Sequence, residues 1–394
     1  MQKNTSAIDA KIVSSTKSGD KAIGVTLAFN TIGWEAQNIL FRTIDALLGT
    51  SIGDEAPAET KAYIEDTTLT ISGDVSVTAD NSAFLNATIS NAADSQASAL
   101  YGAGGTAASA MLASNMVSTD AKAYIDYETT GTVTVTGAID ISAKDQAGIY
   151  SNAKIVSSSI TTNDGGASIA NETIGDIQDA NFLSEDGSQE LIYGDKVRLS
   201  DDYSNGGKKG SVYKYLGSTQ TVDLSKTDYS DLDYWQIVKG TNIIPEGYNV
   251  TGSDSTAIGG MVVRNDVRAG VEAFVDHATV STSSMNITAT ENATINAIAD
   301  SVVSSSGGSA YGSGTSLAIN GIIATNLILS KSNVYIIDSD ITTTTTGDLT
   351  LDAQNTSIIN AINKSVTTTG DTGVGVTLAF NTIGWEAQNI VSGP

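Results

Sequence analysis

The 394 residues contain no cysteine, which excludes disulfides, thiol nucleophiles and thiolate metal sites. The single histidine, His277 in Phe274-Val275-Asp276-His277, has no second imidazole to join it in a metal pair or proton relay, and it reads as a satisfied loop residue. Proline falls to 3 and charged residues to 16%, against about 25% charge in ordinary globular chains. Because 40% of the residues are nonetheless hydrophobic, with many β-branched Val and Ile, the shortage of charge and proline argues for an ordered chain. No run of 18 apolar residues is present, so no membrane-spanning helix is expected. Met1-Gln2-Lys3-Asn4 leads into polar sequence without an apolar h-region, so no signal peptide is read there. Basic side chains number 20 against 44 acidic ones, a net charge of -24, which repels phosphate backbones and anionic lipid and excludes nucleic acid and membrane insertion as partners.

What the chain has is repetition. Residues 24–39, GVTLAFNTIGWEAQNI, recur unchanged at 375–390, an offset of 351. A shorter unit lies inside that period, in Ala62-Tyr63-Ile64, Ala123-Tyr124-Ile125, Ala273-Phe274-Val275 and Val334-Tyr335-Ile336, whose aromatic positions are 61, 150 and 61 residues apart. The 150-residue interval is one 61-residue spacing with 89 residues inserted. Asn115, Asn265 and Asn326 each stand eight residues before their segment. The first unit matches with Asn38, displaced by about 18 extra residues around 34–60. Each unit also carries an alternating apolar segment ending in Ala: Val75/Val77/Ala79, Ile139/Ile141/Ala143, Met285/Ile287/Ala289 and Leu349/Leu351/Ala353. A period of two marks strands with one face buried.

These units predict an all-β stack, a parallel β-solenoid in which each coil buries its apolar face only against the next. Dividing 61 residues into coils of about 20 gives three coils per unit, some twelve coils, and a rod roughly 60 Å long. A chain of β-sandwich modules is the alternative. Two interruptions stand out. Residues 35–49, EAQNILFRTIDALLG, space Ile39, Leu40, Ile44, Leu47 and Leu48 as one face of a short amphipathic helix closed by Gly49. Residues 167–255 form a separate small β domain between solenoid parts 1–166 and 256–394. That domain holds seven of the 14 tyrosines. Runs at 196–199, 211–216 and 234–238 around the turn Asn205-Gly206-Gly207 suggest a β-meander.

Catalytic motifs are scarce. Neither HExxH, GxSxG nor a P-loop occurs, and blocks copied unchanged argue against one unique active site, so the chain is expected not to be an enzyme. A polysaccharide-processing β-helix enzyme, built on clustered Asp with Lys or Arg, stays as an alternative. In the inserted domain Asp228, Asp231 and Asp233 offer hard oxygen atoms for Ca²⁺, although a solvated turn accounts for them equally. Tyr229, Tyr234 and Trp235 could stack on sugar rings, although aromatics in so small a domain also make its core. A calcium- or carbohydrate-binding module is therefore a further alternative; no other cofactor is implied.

The inserted pattern GDKVRLSDDYSNGG…GSVYKYLG…VDLSKTDYSDLDYW resembles a module of giant repetitive bacterial surface proteins of the filamentous-haemagglutinin-like adhesin class, including the very large β-helical proteins of green sulfur bacteria. The LAFNTIGWEAQNI repeat is similar to segments of the same proteins. The resemblance covers about 50 residues and carries over no binding residue. It implies a right-handed β-helix, export to the cell surface or exterior, and a role in attachment or cell-to-cell association. The expected partners are neighbouring repeats of one long chain, cell-surface glycans or another cell.

Overall fold

Alternation along the chain dictates strands, and the fold is all-β with parallel sheets. The computed structural model describes residues 1–34, 55–98, 103–162, 180–238, 253–307 and 314–384, apart from 193, 201, 218, 232, 233 and 345. No helix occurs among the described residues, and the helix expected at 35–49 lies outside them.

The first turn comprises β1 (Gln2–Asn4), β2 (Ala7–Ser18), β3 (Lys21–Ile32), β4 (Ala58–Glu65) and β5 (Leu69–Ile71). The second runs through β6 (Val75–Asn81), β7 (Phe84–Ser98), β8 (Ala103–Asp126) and β9 (Gly131–Val135). The third begins with β10 (Ile139–Asp145) and β11 (Gly148–Thr162). An excursion then carries β12 (Phe182–Leu183), β13 (Ser188–Leu191), β14 (Lys196–Arg198), β15 (Val212–Tyr215), β16 (Gln220–Asp223) and β17 (Trp235–Val238). The turn resumes with β18 (Ser253–Asp276) and β19 (Ala278–Thr282). The fourth turn is β20 (Met285–Glu291), β21 (Thr294–Ser306), β22 (Ser316–Ile337) and β23 (Asp340–Thr343), and β24 (Leu349–Asn355), β25 (Ile358–Thr369) and β26 (Thr372–Ile383) start a fifth.

Equivalent strands of successive turns pair in parallel. Sheet I is β1-β6-β10-β20-β24, sheet II is β2-β7-β11-β21-β25, sheet III is β3-β8-β18-β22-β26 with β4 also on β8, and sheet IV is β5-β9-β19-β23. Parallel pairing throughout the stack is not the antiparallel arrangement that sandwich modules require. The register sets one repeat unit to one layer: Tyr63 lies beside Tyr124, Tyr124 beside Phe274, and Phe274 beside Tyr335. The expected three coils of about 20 residues per unit are therefore corrected to one long turn per unit. Five layers, at about 4.8 Å each, replace the twelve expected and span about 20 Å rather than 60 Å. The misreading came from length alone, since β8 and β18 run for 24 residues each without turn punctuation.

Inward positions make two cores. Leu85, Ile89, Ile149, Ile155 and Ile295 of sheet II pack on Ala113, Val117, Val263, Val267 and Ile328 of sheet III. The second core joins the far half of sheet III to sheets I and IV through Ile125, Val275, Val133, Val280, Ile141 and Ile287. Each such Ile or Val contributes roughly 1.5–3 kcal/mol by leaving water. The alanines that end the alternating segments stack as Ala79, Ala143, Ala289 and Ala353.

The break between β3 and β4 corrects a further detail. Ile32 pairs with Val117 and Ala58 with Thr119, so β3 and β4 meet β8 at positions separated by Ser118 alone. Gly33 turns the chain out at φ +73°, where a Cβ would collide with the Ser118 carbonyl oxygen. The excursion of the third turn leaves after Thr162 and returns at Ser253. The three strand runs expected there appear as β14, β15 and β17, joined antiparallel in that order. It is not a simple meander, because β12 joins β14 in parallel and β13 pairs β16 in a separate sheet.

Candidate functional site

The side chains singled out in the excursion divide by burial. Tyr229 is fully buried and Trp235 2% exposed, with ring centroids 4.5 Å apart, and Trp235 also meets Tyr215 at 5.2 Å. The Tyr229 hydroxyl donates to the Leu224 carbonyl at 3.0 Å. These two rings are the domain's core and offer no surface to a sugar; of the three aromatics proposed for contact, Tyr234 alone is exposed. Asp228 caps its own turn, accepting from the Ser230 N–H at 2.9 Å and from the Ser230 hydroxyl, which hold its carboxyl below the usual range. The Asp231 N–H donates to the Asp228 carbonyl at 3.2 Å, and Asp233 lies outside the described residues. Among the described residues, Asp228 and Asp231 do not join a third carboxylate or imidazole within ligand reach.

The excursion meets the outer face of sheet II. Gly194 stands against Ile362 of β25. Lys214 of β15 faces a row that register makes contiguous, Lys154 of β11, Asp300 of β21 and Lys364 of β25. Burial, opposed by Asp300 and aided by repulsion from Lys196, Lys364 and Lys154, lowers the Lys214 ammonium to about 8.

Sheet III presents the aromatic positions of the repeat on its outer side. Tyr63, Tyr124, Phe274 and Tyr335 stack at centroid distances of 5.1, 4.8 and 4.8 Å, within 8° of parallel. Because each ring face is taken by the next ring, the column shows solvent mainly its edges. Beside it Lys122 bridges Asp120 at 3.1 Å and Glu272 at 3.4 Å, and Lys331 reaches Glu272 at 3.3 Å. Arg268 sits over the Trp34 ring at 4.9 Å and pairs with Glu55 at 3.0 Å, tying both ends of the 33–57 excursion to sheet III.

His277 occupies the corner between sheets III and IV with φ +48°, stacked on Asp338 at φ +44°. Its Nδ1 lies 2.7 Å from Asp276 and its Nε2 3.8 Å from Asp338. This trio is the one group of three potential metal ligands among the described residues. His277 thus lies in a corner between β18 and β19.

Two polar columns run through the interior. Asn30 Nδ2 donates to Asn115 Oδ1 at 2.9 Å, Asn115 to Asn265 at 2.9 Å, Asn265 to Asn326 at 2.7 Å, and Asn326 to Asn381 at 2.8 Å. Asn30 is thus the first member, since the register runs from Asn30 to Asn115, and Asn38 lies outside the described residues. The second column aligns Asn4, Asn81, Asp145, Glu291 and Asn355. Each follows its segment's last alanine by two residues in the later turns, a spacing visible in the sequence at Ala79, Ala143, Ala289 and Ala353.

No family model, no curated protein and no solved structure matches the chain.

Proposed function

We propose that the chain is a structural, non-catalytic segment of a secreted, repetitive surface adhesin, a right-handed parallel β-helix that carries the third-turn excursion sideways for attachment or cell-to-cell association. The observation that carries this reading is the placing of the copied block. β3 and β26 end in the same nine residues, GVTLAFNTI, and occupy the same sheet four layers apart. A chain that reuses one turn in one stack extends by adding layers, as repeat proteins do. The excursion is then displayed once per super-repeat, a spacing suited to multivalent contact. Neighbouring repeats continue the stack, and a glycan-bearing surface or a second cell is the partner outside it.

Beads coated with the full chain, and beads coated with a variant whose residues 163–252 are replaced by a linker as long as the 307–315 connection, are mixed with glycan-bearing cells. Attachment by the first and not the second is expected. Equal attachment by both, or measurable polysaccharide turnover by either, overturns the reading.

A further inference from the structure

Asp145 and Glu291 are neighbours in the second interior column, paired by register across one layer, and both are fully buried. Asp145 Oδ1 accepts the Ala147 N–H at 2.7 Å, whereas its Oδ2 and both oxygens of Glu291 have no hydrogen-bond partner. In the turns where asparagine fills this column, its amide crosses to sheet III: Asn81 Nδ2 donates to the Ala58 carbonyl at 2.9 Å, and Asn355 Nδ2 to Ser330 Oγ at 2.9 Å. Ala58, Thr119, Ala269 and Ser330 are successive positions of that facing column. Opposite the two acids therefore stand Thr119 and Ala269, neither of which carries a side-chain N–H.

The unpartnered atoms converging here are all oxygens. Asn81 Oδ1, in the layer next to Asp145, has no donor, and neither does Thr119 Oγ1, which approaches Asp145 closely enough to lower its carboxyl without completing a hydrogen bond. Asn81 is fully buried and Thr119 2% exposed. Among the described residues no lysine, arginine or histidine pairs with either acid; burial, with repulsion from Asp120 and Asp80, pushes Asp145 up to about 7, and burial, with repulsion from Asp145, pushes Glu291 up to about 9.

From this donor set we propose that Asp145 and Glu291, with Thr119, hold one calcium ion inside the stack. Two carboxylates balance one divalent charge, which removes the cost of two unpaired buried anions. Calcium takes six to eight hard oxygens at about 2.3–2.6 Å, so an ion shared by carboxylates one layer apart spans a gap close to the ~4.8 Å layer spacing. Asp145 Oδ2, Glu291 Oε1 and Oε2 and Thr119 Oγ1 supply four of the ligands. Zinc prefers nitrogen and sulfur, and magnesium retains waters that a closed interior does not accommodate. The ion enters as the turns stack, during folding.

The test refolds the full chain at pH 8 in calcium or in EGTA, removes loose ions by gel filtration and counts bound calcium by mass spectrometry. One calcium per chain is expected. With free calcium at about 100 times its Kd, the folding equilibrium shifts about 100-fold. Glu291→Gln, which restores the amide of the asparagine turns, and separately Asp145→Asn, should fold, lose the ion and lose the calcium response. Asp228→Asn should retain both. Absence of calcium from the wild-type chain, retention by both column variants, or magnesium taken up equally well overturns the assignment. A wild-type chain that holds no ion and weakens steadily as pH rises from about 4.5 to 9 identifies a shared proton in its place.

Discussion

Replacing Asn265 by alanine removes the centre of the asparagine column. Asn265 accepts from Asn115 at 2.9 Å and donates to Asn326 at 2.7 Å, and all three are 1% exposed or less. Two hydrogen bonds are lost, each of about 1 kcal/mol, and Asn326 Oδ1 is left buried without its donor at a further ~1–3 kcal/mol. Asn115 Nδ2 keeps Ser151 Oγ at 3.0 Å, which limits the damage on that side. The expected loss is therefore about 3–5 kcal/mol. Asn30→Ala removes one bond and leaves the buried Asn115 Oδ1 without its donor, and should cost about 2–4 kcal/mol, about 1 kcal/mol less than the central variant. Urea unfolding followed by circular dichroism measures both variants, with the slope checked to be unchanged. If Asn265→Ala costs no more than Asn30→Ala, the column does not stabilise the stack through its hydrogen bonds and the reasoning fails.

Phe274→Ala opens the aromatic stack between Tyr124 and Tyr335; two ring contacts at about 0.5–1.5 kcal/mol each, plus lost apolar area, give an expected urea-measured loss of about 2–4 kcal/mol. Tyr229→Ala empties the centre of the excursion's core, and a loss of about 3–5 kcal/mol there should make 180–238 protease-sensitive while the parallel stack stays resistant in the same digest. Lys214 has its folded pKa depressed to about 8 from 10.5, so the folded chain binds fewer protons than the unfolded chain between those values. Stability should therefore rise with pH across that window, and Lys214→Met should raise the urea midpoint at pH 7 and flatten the rise. Gly33→Ala forces a Cβ into the Ser118 carbonyl at a positive φ; a cost of about 1–3 kcal/mol and weaker quenching of Trp34 by its neighbours are expected in fluorescence-detected unfolding.

The strands were legible because alternation survives stacking: Val75/Val77/Ala79 and its three equivalents became the paired strands of sheet I, and the aromatic positions of the repeat fell into one column. Layer size was not legible. Both a 20-residue coil and a 61-residue turn satisfy a period of two, and only pairing register separates them. Asn30 was missed because residues 33–57 detach it from the Ala62 segment, so counting back along the chain reached Asn38. Asp228, Tyr229 and Trp235 drew attention as acidic or aromatic residues, yet the turn needs the first as a cap and the domain core needs the other two. Asp145 and Glu291 escaped because a single acid in a polar alternation reads as an outward residue. Aligning each turn on its last alanine reveals that they replace asparagines.

The asparagine column also has a direction. Every amide from Asn30 to Asn326 gives its hydrogen toward the later turn, so the stack is a polar object with an accepting face at Asn30 and a donating face at Asn381. Two such stacks can continue one another only in the same sense, as links in a chain do. Meeting front to front, they would set carbonyl against carbonyl, and that mismatch gives a filament of these turns a built-in arrow from one end to the other.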